Sequence, residues 1–512
     1  MKTSLNKSYS NQGITLIALV VTIVVLIILA TISINAVLGE NGLIRKAEKA
    51  KEVQENSTIA DEEALNTLVD EYNNATAEPV VYQDATLPTR PKLAQGMTRI
   101  KYDSTTNQWK RVTDVGEAWY DYASDKKEWA NVVLGDATFS DDGVLDETKP
   151  YSQLVWIPRF AYQITSYYHT GGDETTAGNI NVVFIDENNQ DKNKTTTYTT
   201  TYPSATAGTD KGMSGYVVHP AFDYDGKHLS GFWMGKFESS HTGCTTSIGT
   251  GQAAYTGNEV MTVKANVTSW RNLTIGNMFT TCLNMNRSGN PYGLRSTDTA
   301  VDPHMVKNTE WGAVAYLSKS AYGKQNEEVY INNSSDYITG NAASDSAYAG
   351  AASGVQNAYN TAGGVKASTT GTVYGIYDMS GGNWERVAAY VNNGHDNLKN
   401  GTSLVNGAAK YKNEYTATGT TNGNDSQSGN YDNADPKVAT GHYGDAVWET
   451  SSASSGQGSW YKDYSIFPYA AGPFFNRGGN YNDTSGAGVF YFSRSSGEAN
   501  GRDGFRVVVP VL

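Results

Sequence analysis

The chain has 512 residues, room for two to four domains and a sizeable core. Its net charge of −13 argues against a nucleic-acid partner. Two cysteines, Cys244 and Cys282, exclude a disulfide-dense scaffold and leave two alternatives, one bridge or two buried thiols.

The first organised stretch is Gly13–Gly39. From Ile14 to Leu38 it carries no charge and no proline. As a helix it would reach roughly 37 Å, more than the ~30 Å of a bilayer core. It is also longer than a secretory signal's apolar run. A short leader with Lys2 and Lys7 precedes it, ends in Gly13, and gives way at once to Ile-Thr-Leu-Ile. This resembles the N-terminus of type IV prepilins. The resemblance implies cleavage of the Gly13–Ile14 bond by a prepilin peptidase and N-methylation of Ile14. It also implies packing among other pilin subunits by a pilus-type assembly machinery. Ala18 stands where the family usually has glutamate. Counted alone, Arg45, Lys46, Lys49 and Lys51 oppose export of the C-terminal part. Long domains, however, translocate largely regardless of flanking charge.

From Glu40 to about Ala77 the chain turns polar without proline, and Ala60, Ala64, Leu68 and Tyr72 recur every four residues. The expectation is one transmembrane and stalk helix over 14–78, following a leader over 1–13. Residues 79–150 read as a small β-rich connector. RIKYDSTTNQWKRV and AWYDYASDKKEWANVV both alternate around polar turns, as hairpins do.

Residues 151–512 read as one large domain with polar insertions. LVWIPRFAYQI and GFWMGKFES are strand-like. VTSWRNLTIGNMFTTCLNMN reads as a helix with Trp270, Met278, Cys282 and Met285 inward, and MVKNTEWGAVAYLSKSAYG as a second. DENNQDKNK at Asp186 lacks the glycine and closing glutamate of a calcium loop and reads as a turn. The 34 Tyr against 13 Phe suit either a binding surface or the outer faces of strands.

The most specific motifs lie near the C-terminus. GIYDMSGGNWERVAAY (375–390), NRGGNYND (476–483) and GFRVV (504–508) resemble signatures of the formylglycine-generating, sulfatase-modifying enzyme family. WIPRF, GKFE, TSW and NTEWGAVAYL occur in matching order before them. The resemblance covers about 350 residues. It implies a C-type lectin-like domain and hence an α+β fold class for the whole chain: long N-terminal helix, small connector, large lectin-like domain. That fold hosts enzymes and pure binding proteins alike. The family's oxidase uses paired cysteines near the C-terminus that bind copper, and this chain has no cysteine after Cys282. No catalytic residue is therefore expected. The resemblance also implies a calcium role for Glu385, although Gly382 replaces the expected Asn. Read from its own surroundings, Glu385 is a buried structural acid. No other cofactor is expected.

The last stretch resembles the variable region of proteins diversified by retroelements, in which an R-G-G strand and a closing G-F-R strand bracket hypervariable positions. Within 476–508 the bracketed candidates for ligand contact are Asn480, Tyr481, Asn482, Asp483, Ser485, Tyr491, Ser493, Ser495, Ser496, Glu498, Asn500, Arg502 and Asp503. Such Tyr, Ser and Asn mixtures make adaptable contact surfaces. The expectation is a pilin-like adhesin on the surface of a prokaryote, held in the membrane by its N-terminal helix, that binds an extracellular protein or glycan. The alternatives are a singly anchored receptor outside any filament and an anchored enzyme of the sulfatase-modifying family.

Overall fold

The structure is a computed structural model that describes residues 20–24, 82–165, 177–203, 212–245, 255–343, 346–350, 356–416, 443–452 and 455–512. The chain divides into two units, Met1–Val81 and Tyr82–Leu512. The second holds every strand described below.

The alternation on either side of residues 104–107 pairs as β1 (Thr98–Asp103) and β2 (Gln108–Arg111), with Asn107 at positive φ closing the turn. The next alternating stretch gives an antiparallel bridge, Asp121 to Glu128, and then β3 (Asn131–Val133). Further on come β4 (Gln153–Pro158), β5 (Phe160–Ile164), β6 (Ile180–Phe184), β7 (Val217–Val218), β8 (Asp223–Tyr224), β9 (Lys227–His228) and β10 (Gly231–Gly235). Helices α1 (Ile275–Leu283) and α2 (Asn308–Lys319) flank β11 (His304–Met305). The C-terminal part holds β12 (Trp384–Asn392), α3 (Thr402–Val405), β13 (Asn413–Thr416), β14 (Ser455–Gly456) and β15 (Ser465–Ile466). It ends with β16 (Phe474–Arg477), β17 (Phe492–Ser495), β18 (Asp503–Phe505) and β19 (Val507–Pro510).

Two seven-stranded sheets dominate. The first, in order β11-β19-β10-β4-β3-β1-β2, is antiparallel throughout. The second is mixed, in order β13-β12-β16-β17-β15-β14, with β18 joining parallel to β12. Because β3 pairs with β4, the stretch expected as a connector belongs to the same sheet as the strands after residue 150.

The expected α+β class led by a long N-terminal helix is corrected. The described residues are mostly β-sheet with short helices, and no helix among them is long and apolar enough to cross a membrane. The physical reason lies in the pattern. Apolar residues come in short runs cut by Gly, Asn and Thr turns, which suits strands paired over long sequence distances. Of the stretch read as the long helix, residues 20–24 are described, helical and exposed. Gly13, Ile14 and the remainder to residue 78 lie outside the described residues.

The helix expected over 267–286 begins only at Ile275, where the Thr274 hydroxyl accepts from the Asn277 N–H at 3.2 Å. Trp270, Met278, Cys282 and Met285 are nonetheless all buried. α2 is buried on every face, as a helix clamped between sheets must be. Its Trp311 indole donates to the Val489 carbonyl at 2.9 Å, and its Tyr316 hydroxyl to Glu449 at 2.7 Å. Part of the tyrosine excess is a core feature. Tyr122, Tyr162, Tyr377 and Tyr415 are fully enclosed or nearly so, with hydroxyls donating to Trp156 O, Glu449, Tyr359 O and Asp445. Both thiols are free, Cys282 buried and Cys244 half-buried. At Asp186 the carboxylate accepts from the Asn188 and Gln190 N–H groups at 2.9 Å, a turn.

Candidate ligand-binding cleft

The site starts from the two brackets. β16 ends at Arg477, whose guanidinium donates to the Asp445 and Ala446 carbonyls and lies over the Trp311 ring. Gly478 and Gly479 come next at φ +82° and +76°, a region that glycine enters without strain. A Cβ on Gly479 would meet the Ala487 Cα at 2.6 Å, so the chain here must also be bare. At the other end the chain passes from β18 in the mixed sheet to β19 in the antiparallel one. Phe505, Arg506, Val507, Val508 and Val509 are all fully buried. Both faces of this closing stretch are therefore covered.

Strand alternation sorts the side chains between these brackets. Arg386 on β12 sits opposite Asn476 on β16, and Asn476 opposite Ser493 on β17, so the three share one face. Trp384 sits beside Asp503 on β18. That face is the floor of a cleft of about 580 Å³. Its walls are Asp483, Thr484, Ser485, Gly486 and Tyr491 on one side, Ser495, Ser496, Glu498, Ala499 and Asn500 on another, with Gln457, Tyr464, Ile466 and Arg494 completing the lining.

Charge in the floor is organised around Arg386, almost fully buried. It pairs with Asp503 and donates to the carbonyls of Leu273 (3.0 Å), Gly497 (3.2 Å) and Glu498. Burial holds the Asp503 carboxyl above the usual range, and Arg386 opposes that push. Asp483 is likewise raised by burial, while accepting from the Asn480 N–H at 2.9 Å and the Trp384 indole at 2.8 Å. Burial also pushes the Tyr491 hydroxyl up.

Of the candidate residues, Asp483, Ser485, Tyr491, Ser493, Ser495, Ser496, Glu498, Asn500 and Asp503 line this cleft. Four do not. Asn480 is buried in the turn, its side chain accepting from the Asn482 N–H at 3.0 Å. Tyr481 packs edge-on against Tyr337, which carries the Arg271 guanidinium at 4.0 Å. Asn482 and Arg502 are exposed away from the lining. Tyr491, although it lines the cleft, is only 4% exposed. The residues missed from sequence are Trp384, Arg386, Asn476, Gln457, Tyr464, Ile466, Thr484, Arg494 and Ala499. Trp384 and Arg386 fall inside the quoted NWER motif. Their signal is the alternation of that motif, which turns every second side chain to the cleft face of a strand.

The groups that the resemblance implies do not fit these residues. Both oxygens of Glu385 accept from Arg506, Oε2 from Nε at 3.0 Å and Oε1 from Nη2. A guanidinium thus already supplies the positive charge that calcium would bring. Among the described residues no group of three or more His, Cys, Asp or Glu side chains is placed to hold a metal. Burial pushes the Cys244 thiol up to about 11, and raises Cys282 as well. The chain matches no family model and no curated protein.

Proposed function

We propose that this chain is a surface-displayed, pilin-like adhesin whose segment between Arg477 and Gly504 forms a ligand-binding cleft and is diversified by a retroelement. One observation carries the reading. A segment of binding-surface composition, bracketed by two buried framework strands, lines a single cleft of about 580 Å³. That volume falls within the range of ligand sites. The brackets hold their place through backbone pairing and buried charge pairs, so rim side chains can change without touching the core. The short basic leader ending in Gly13 supports export by a prepilin route.

The test is a display library randomised only at the rim positions Ser485, Ser496, Glu498 and Asn500. Most members should fold, and ligand preference should shift among them. If most misfold, or if preference never changes among folded members, the binding site lies elsewhere. The export half is checked separately by mass spectrometry of the mature protein, which should begin at Ile14. A mature chain beginning at Met1 in a cell with active prepilin peptidase would sink it.

A further inference from the structure

We infer that the cleft takes a neutral, polyhydroxylated ring, a saccharide unit of an extracellular glycan. The inference rests on the proposal that the cleft is the binding site. Three lining residues each keep one buried side-chain atom without a hydrogen-bond partner among the described residues: Arg386 Nε, Asn476 Oδ1 and Asp503 Oδ1. One is a donor and two are acceptors, and Asn476 and Arg386 sit directly opposite each other in register. Buried polar groups in native structures are almost always satisfied, by protein, water or ligand. A hydroxyl answers a donor and an acceptor from a single atom, giving one hydrogen bond and accepting two.

Charged alternatives fit less well. An anionic ligand would face Asp483, Glu498 and Asp503, and a cationic one Arg386 and Arg494. Either would leave the mixed set of unmatched atoms half answered. The walls add further hydroxyls from Thr484, Ser485 and Ser496. They also add the rings of Trp384 and Tyr464, amphipathic surfaces for the C–H face of a sugar. Trp384 is held in place by its indole bond to Asp483. A protein ligand anchored by an apolar side chain needs an apolar socket. Among the described residues, the only aliphatic lining here comes from Ile466 and Ala499.

The experiment uses the full chain with two probes, an array of neutral and acidic oligosaccharides and a random peptide display library. Two variants accompany it. Ser485→Trp fills the cleft from a half-exposed position, and Glu498→Ala trims an exposed rim side chain should the first fail to fold. The expected result is retention of a subset of neutral saccharides, weakened at least tenfold by either variant. Peptides bound instead, with the variants abolishing that binding, would overturn the saccharide inference and leave the cleft as the binding site. Preference for acidic over neutral saccharides would overturn it too. Saccharide binding indifferent to both variants would move the site elsewhere and overturn the cleft reading as well. Capture of neither class by the folded chain would overturn the inference.

Discussion

Tyr491 and Glu498 belong to one polar segment, yet burial gives them opposite roles. Tyr491 borders the cleft yet is only 4% exposed, whereas Glu498 is exposed on the rim. Tyr491→Ala should cost about 3 kcal/mol of unfolding free energy, because it opens a cavity beside Trp384. Glu498→Ala should stay within about 0.5 kcal/mol, as surface substitutions do. Urea denaturation of the two variants checks both values, and equal, small effects would show that the Tyr491 ring is not part of the framework. Sequence alone cannot separate these residues. Ser493 and Ser496 are chemically identical, but the first is paired within β17 and buried, while the second lies just past the strand's end and is half-exposed. What a sequence shows here is the chemical vocabulary of a segment, and burial is added by pairing partners distant in the chain.

The element that does most to define the site is β12. Its neighbouring residues Glu385 and Arg386 point to opposite faces of the mixed sheet. Glu385 turns inward to Arg506, and Arg386 turns to the cleft floor and Asp503. Both ion pairs therefore join β12 to the closing segment, one on each face. Removing a single partner from such a buried pair typically costs several kcal/mol, because the other charge is left stranded. This double clasp explains why the segment before Asp503 can be polar and irregular while its ends stay fixed. The brackets themselves were legible from the Gly478–Gly479 pair and the Gly504–Phe505–Arg506 motif. Glycine pairs and apolar runs are local signals. The clasp was not legible, because opposite charges more than a hundred residues apart carry no mark of their pairing. The expectation of a long N-terminal helix rests on an apolar run, a strong local signal that says nothing of the sheets that make up the described part of the chain.

At the scale of the whole second unit, the two sheets meet over a cluster of buried acids. Glu238 lies just after β10 of the antiparallel sheet, Glu385 lies on β12 of the mixed sheet, and Asp378 lies between them in sequence. Arg506, between β18 and β19, is the cation they share. Glu238 accepts from the Asn383 N–H at 2.8 Å and from the Ser269 hydroxyl and Asn383 amide. Burial, reinforced by Asp378 and Glu385, pushes its carboxyl up to about 8 from 4.5. Burial also pushes Glu385 up to about 7, against the pull of Arg506. The sign is set by proton binding. Between pH 4.5 and 8 the folded chain holds a proton on Glu238 that the unfolded chain has released, so this group's contribution is full below pH 4.5 and is lost as pH rises through about 8. Other buried groups titrate in the same range, among them Lys319 and Lys324, lowered to about 8 by burial and therefore opposite in sign. Comparison with Glu238→Gln isolates the one carboxyl. The amide is the neutral isostere of the protonated acid. Stability measured by urea denaturation from about pH 5 to about pH 9 should fall less steeply in the variant than in the parent. The slopes should differ by at most one proton, ~1.4 kcal/mol per pH unit, and the difference should vanish above about pH 9. Parallel curves across that range would mean that Glu238 is ionised throughout, held by Arg506 rather than governed by its burial between the sheets.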